Sequence, residues 1–128
     1  MSSTVYNLVE KASETSALFG PMGSVLPASH PESLEATGKR LKALRDALDL
    51  SQDDLGTAIG NPNGSALFSP IERGNHRIGL DTALALCRRY GVTLDWIYRG
   101  LWHAGIPFDL AEKIRFEEMR AERPNRRS

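Results

Sequence analysis

The sequence predicts an all-α fold: a compact centre of five short helices, an additional C-terminal helix and a partly flexible N-terminal arm. Three observations predict it. Apolar residues recur at i, i+3 and i+7 in successive segments, the spacing of a helix with one buried face. Gly and Asn-Pro-Asn-Gly breaks fall between those segments. No stretch alternates apolar and polar residues as a half-buried strand does. The 128 residues are 41% hydrophobic and 25% charged, which suits one small globular domain with tails.

Residues 1–33 form the arm, where Gly20, Pro21, Gly23, Pro27 and Pro31 suggest flexibility. Within it Val5, Leu8, Val9, Ala12 and Phe19 lie near one helical face, so a short helix packed on the main domain is expected there. A helix that docks into a partner is the sharper alternative. Residues 34–101 form the centre. Its first helix runs from about Glu35 to Leu48, with Leu41, Leu44 and Leu48 on one face and Lys39, Arg40, Lys42 and Arg45 around them. Ser51-Gln52-Asp53-Asp54 starts the second helix, with acids where the helix dipole favours them. Leu55, Ala58 and Ile59 give that helix a buried face. Asn61-Pro62-Asn63-Gly64 is a turn. A third helical stretch lies within Ser65–Arg73. A fourth follows Gly79 and is capped by Gly91. A short fifth begins after Thr93 and ends at Gly100. Residues 102–128 hold a last helix, from Pro107 to about Arg120 or Glu122, and a loose basic tail.

Five short helices with these breaks suggest a helix-turn-helix module. The residues resemble the Cro/C1-type helix-turn-helix proteins, also called the XRE family, over about residues 38–101. The resemblance rests on four pieces in order. They are Arg40-Leu41-Lys42-Ala43-Leu44-Arg45, Leu50-Ser51-Gln52-Asp53-Asp54-Leu55, Ile71-Glu72-Arg73-Gly74, and Tyr90-Gly91-Val92-Thr93-Leu94-Asp95-Trp96-Ile97 ending at Gly100. The resemblance implies a regulator whose third helix enters the major groove while the helix before it crosses the DNA backbone. It also places Gln52 where the family commonly has a phosphate-contacting Gln; on residue type alone, Gln52 is an ordinary first-turn helix residue.

Counting back from Ile71-Glu72, the family's base-reading positions fall on Ser65, Ala66, Ser69 and Pro70, and Asn63 lies in the turn before them. None is a long polar reader: Ser discriminates little between bases and Ala offers only a methyl contact. The turn is about two residues longer than the family's usual one. Pro70 disfavours helix at Ser69, and one accommodation makes Ser69 an N-cap and Pro70 the first residue of a very short helix. Phe68 is expected in the core, with an exposed hydrophobic contact as the alternative. Arg73, Asn75, His76 and Arg77 follow as candidate backbone or minor-groove contacts, or as a solvated loop. Residues 34–101 carry nine Lys and Arg against eight Asp and Glu, a meagre +1 for phosphate neutralisation.

The rest of the chain does not point to catalysis. His30, His76 and His103 lack metal-ligand spacing with one another or with Cys87. Cys87 sits among Ala83, Leu84 and Leu86 as a buried thiol, and the single cysteine suits a reducing cytosol. Trp96 and Trp102 are packing or interface residues. No apolar run approaches a membrane span. The expectation is therefore a cytoplasmic, non-enzymatic transcriptional regulator with no cofactor or metal, binding operator DNA through Gln52, Asn63, Ser65, Ala66, Ser69, Arg73, Asn75 and Arg77. Double-stranded DNA is its expected partner, together with a second copy in a homodimer. The alternative is a protein-binding antiactivator that uses the same fold to sequester a transcription factor, with DNA binding weakened or lost. Leu8, Leu110, Ile114 and Met119 are the candidate protein-interface residues.

Overall fold

The computed structural model describes residues 26–122, so Leu8 and the expected N-terminal helix lie outside the described residues. Six helices follow in order: α1 (Leu34–Ala47), α2 (Gln52–Ala58), α3 (Gly64–Glu72), α4 (Leu80–Tyr90), α5 (Leu94–Arg99) and α6 (Phe108–Glu122). Among the described residues there is no strand, and the fold is all-α. No helix in this range is long and apolar enough to cross a membrane.

Local chemistry sets most of the boundaries. Ser33 caps α1 by accepting from the Ala36 amide. Ser51 and Asp54 form a reciprocal capping box at α2. Thr93 caps α5 through the Trp96 amide. Gly91 and Gly100 end α4 and α5 in the left-handed region, where a side chain is strained.

Pro70 does not start α3; it lies inside it, and the helix runs nine residues from Gly64 to Glu72. The very short helix considered for this segment is corrected by that finding. Ala66-Leu67-Phe68 are helical. The physical reason is position. Pro70 stands in the last turn, so the one bond it forfeits is to the carbonyl of exposed Ala66, which water can satisfy. Phe68 and Ile71, buried on either side, hold the helix to the core.

One core joins all six helices. Leu41, Leu44, Leu55, Phe68, Ile78, Leu86, Trp96, Ile97 and Ile114 are at most 1% exposed and form its centre. Ile106, Ala111 and Ile114 bring α6 and its approach into that same core. Trp102 packs beside Trp96, ring centroids 5.6 Å apart and tilted 43°. Ile114 is thus corrected as an interface residue: α6 lies along α1, and the Ile114 side chain is spent on the chain's own core. Leu110 packs partly against that core, and Met119 is exposed. Cys87 is half-buried, and burial raises its thiol pKa, so it is a poor thiolate.

The helices touch through glycines. A Cβ at Gly38 would stand 2.4 Å from the Ile71 carbonyl oxygen, so α1 and α3 meet backbone to backbone. A Cβ at Gly56 would stand 2.4 Å from the Gly64 Cα, and one at Gly64 would stand 2.2 Å from the Gln52 carbonyl oxygen. Arg40 is the other tie. It is buried, and its guanidinium donates to the Ile97 carbonyl (3.0 and 3.2 Å), the Pro31 carbonyl (2.6 Å) and the Thr37 hydroxyl (3.3 Å). Residues 28–33, placed with the arm by their composition, are therefore pinned down. Ser33 is fully buried and its hydroxyl donates to the Ala28 carbonyl.

Two outcomes are expected from this packing. Gly64→Ala drives a methyl into fixed backbone and should cost about 2–3 kcal/mol or more, read as a lower urea midpoint. Gly79→Ala, which meets nothing within 4 Å, should cost under about 1 kcal/mol; equal losses would contradict the close contact. Glu118 is half-buried on α6, and desolvation raises its pKa above the ordinary 4.5, against the pull of Arg40 and Arg115 and with a push from Glu122. The folded state therefore holds that proton more tightly, and stability falls as pH rises through the window above 4.5. Glu118→Gln should match the wild type near pH 4 and melt higher at pH 7; a reversed order would refute the assignment.

Candidate nucleic-acid interface

The two helices that carry most of the expected contacts, α2 and α3, are locked into one unit. Gly56 and Gly64 let their backbones touch. Asn63 precedes α3 as its N-cap residue, but its side chain makes no capping bond. Capping comes from across the turn: Asp53 of α2 accepts from the Ser65 amide at 2.8 Å. Local sequence gave no signal for this bond, because its partners are twelve residues apart.

A chain of side chains then runs from α1 to the start of α3. Arg45 grips Glu72 with two parallel bonds of 2.8 and 2.9 Å and donates a third to the Leu50 carbonyl at 3.0 Å. The Glu72 side chain is only 6% exposed, so the pair works in a poorly solvated place. Hydrogen bonding to Glu72 is the main reason that the Arg45 pKa is raised. Gln52 donates from Nε2 to Glu72 Oε1 at 3.1 Å, and its own Oε1 accepts from the Ser65 hydroxyl at 3.4 Å. One of the two Nε2 protons of Gln52 is thereby used, and the second remains to donate. Glu72 was legible only as part of a motif; that it anchors Gln52 was not.

The remaining candidates divide. Ser65 and Ala66 are exposed at the first turn of α3. Ser69 is half-buried, and its hydroxyl accepts from the Arg73 guanidinium one turn on. Asn75 is exposed; its backbone amide donates to the Pro70 carbonyl at 2.9 Å. Arg77 is drawn elsewhere. Its guanidinium donates to the Glu32 carbonyl at 2.9 Å and the Thr37 hydroxyl at 3.4 Å, so it ties the segment after α3 to the start of α1. The structure brings Gln52, Asn63, Ser65 and Ala66 together at the adjoining ends of α2 and α3, with Ser69 and Arg73 further along α3.

Residues 36–96 match the family described as a helix-turn-helix domain. This segment is a helix-turn-helix domain. The match falls within the stretch that resembles the Cro/C1-type proteins. No curated protein and no solved structure gives a significant match to the chain. In the helix-turn-helix domain, α2 and α3 are the paired helices. Such a domain suggests a DNA-binding regulator in general.

The electrostatics at this end of the domain are mixed. Asp53 and Asp54 are both exposed beside Gln52, and Asp53 already occupies an amide at the α3 N-terminus that a phosphate would otherwise use. Arg40 is buried and Arg45 is paired, so neither adds a free cation to the helix-turn-helix surface. Arg73 is the exposed cation that stands on the α3 side of it. Among the described residues, no group of three or more His, Cys, Asp or Glu is placed to hold a metal ion.

Glu72→Ala takes from the poorly solvated Arg45 its two close carboxylate bonds, leaving only Asp46 at 3.9 Å as a counter-charge, and releases Gln52. It should cost about 3 kcal/mol, measured by urea unfolding. Gln52→Ala, which keeps the Arg45–Glu72 pair, should cost less than about 1.5 kcal/mol. Equal losses would mean that Glu72 acts mainly through Gln52.

Proposed function

We propose that the chain is a cytoplasmic transcriptional regulator that binds operator DNA, with α3 in the major groove and α2 across the backbone. The observation that supports this most is the rigid pairing of two helix starts. Gln52 at the start of α2 keeps an unused amide proton while Glu72 and Ser65 fix its direction. Ser65 and Ala66 stand exposed in the first turn of α3, where a groove-bound helix reads base edges. Ser69 and Arg73 extend the same helix, and Asn63 and Asn75 flank it. Short readers of this kind ask the DNA for shape and thymine methyls more than for bidentate hydrogen bonds.

A second reading has a specific observation in its favour. The Asp53 carboxylate on the Ser65 amide, with Asp54 next to it, puts negative charge where phosphates approach. An antiactivator that sequesters a transcription factor through this fold would not need that place to be basic. Leu110, partly packed on the core, has less surface to offer such an interface than exposed Met119.

The deciding measurement is a titration of a fluorescent fragment from the gene's own upstream region, beside scrambled DNA, at low and moderate salt. Selective, salt-sensitive binding is expected. Arg73→Ala should weaken it several-fold and reduce the salt slope by about one. Asp53→Asn should strengthen it. No selective binding at low salt would overturn the operator reading in favour of the sequestering one.

A further inference from the structure

The outward face of α6 carries an arrangement that no other element of the domain absorbs. Phe108, Glu112, Arg115 and Met119 are all exposed on it, with Phe108 71% and Met119 62% exposed. Their spacing is four, three and four residues, the spacing of a coiled-coil seam. Phe116, 60% exposed, flanks the seam. Glu112 forms no ion pair with any of the described residues, although Arg115 stands three residues away. The Arg115 guanidinium carbon instead lies 4.5 Å over the centre of the Trp102 ring.

We propose that α6 pairs antiparallel with α6 of a second copy of this chain, across a two-fold axis at its midpoint. The argument is one of symmetry and charge. Positions 108 and 119 are equidistant from that midpoint, and so are 112 and 115. Antiparallel pairing therefore sets Phe108 against Met119 of the partner subunit and Glu112 against Arg115 of the partner subunit, each contact occurring twice. Parallel pairing would oppose Glu112 to its own copy and Arg115 to its own copy, a like-charge clash. The sequence on this face is complementary to itself in one direction only. The inner charged layers fix the register and the outer apolar layers supply the attraction. The seam from Phe108 to Met119 is about 16 Å long. That is less than a standard interface, so the association is a micromolar one. It carries two helix-turn-helix units on one particle; that these then share one duplex rests on the operator reading, while the pairing itself does not.

Sedimentation equilibrium without DNA, up to about 200 µM protein, tests the pairing directly. The wild type is expected to dimerise in that range. Glu112→Arg alone and Arg115→Glu alone should each weaken the dimer at least about tenfold, because each creates like-charge layers. The double variant Glu112→Arg/Arg115→Glu should restore it, and an equimolar mixture of the two single variants should form the heterodimer. Both positions are exposed, and far-UV circular dichroism confirms that each variant is folded. A wild type that stays monomeric overturns the proposal, as it would if residues 1–25 of the same chain covered this face. A dimer indifferent to the single changes overturns it too, as does a folded double variant no better than the singles. DNA is absent throughout, so failure here leaves the operator titration untouched, and failure there leaves the pairing untouched.

Discussion

Backbone contact at three glycines is the constraint on which the rest of the structure depends. Gly38 admits the end of α3 to α1, and Gly56 and Gly64 admit α2 and α3 to each other. None of these approaches leaves room for a methyl group. Once the helices are that close, the Arg45–Glu72 pair spans α1 to α3, Gln52 reaches Glu72, and Asp53 reaches the Ser65 amide. These polar contacts fix direction; the glycines fix distance. Without the close approach, the side chains at the α2 and α3 starts would not converge.

The same contacts explain why the surface is sparing in free charge. Arg40 is spent on carbonyls, Arg45 on Glu72, and Arg77 on Glu32 and Thr37. Three of the nine basic residues counted across residues 34–101 thus serve the fold, and a sum over the sequence overstates what a phosphate would meet. The acids behave alike. Asp53 and Asp54 both cap helix starts, so their negative charge is a by-product of building the unit.

The helices were legible because their signals are local. Capping serines, the Asn-Pro-Asn-Gly turn and the closing glycines each act within a few residues, and the observed ends fall within a residue or two of those expected. Pro70 misled because its cost depends on the carbonyl it leaves without a partner, that of Ala66 in the preceding turn, whose exposure the sequence did not disclose. Ile114 misled for a different reason. An apolar stripe on a terminal helix looks the same whether it meets its own domain or another, and only the packing of α6 on α1 separates the inward Ile114 from the outward Met119. Arg40 read as one more surface cation, since the carbonyls that receive it come from residues 31 and 97, remote in sequence. The candidate contacts at the α2 and α3 starts came from the family resemblance, and their internal hydrogen bonds are visible only in three dimensions.

The turn between α2 and α3 has a consequence for how this domain can change over generations. Gly60 adopts a left-handed conformation, and a Cβ built there meets nothing within 4 Å. Pro62 and Asn63 are exposed. Both ends of the tip are tied to α2: the Asn61 amide donates to the Gly56 carbonyl at 2.7 Å, and a Cβ at Gly56 would stand 2.7 Å from the Asn61 carbonyl oxygen and 2.4 Å from the Gly64 Cα. Side-chain changes at Pro62 and Asn63 therefore fall on a solvent-facing tip, while Asn61 and Gly64 on either side of it stay fixed against Gly56.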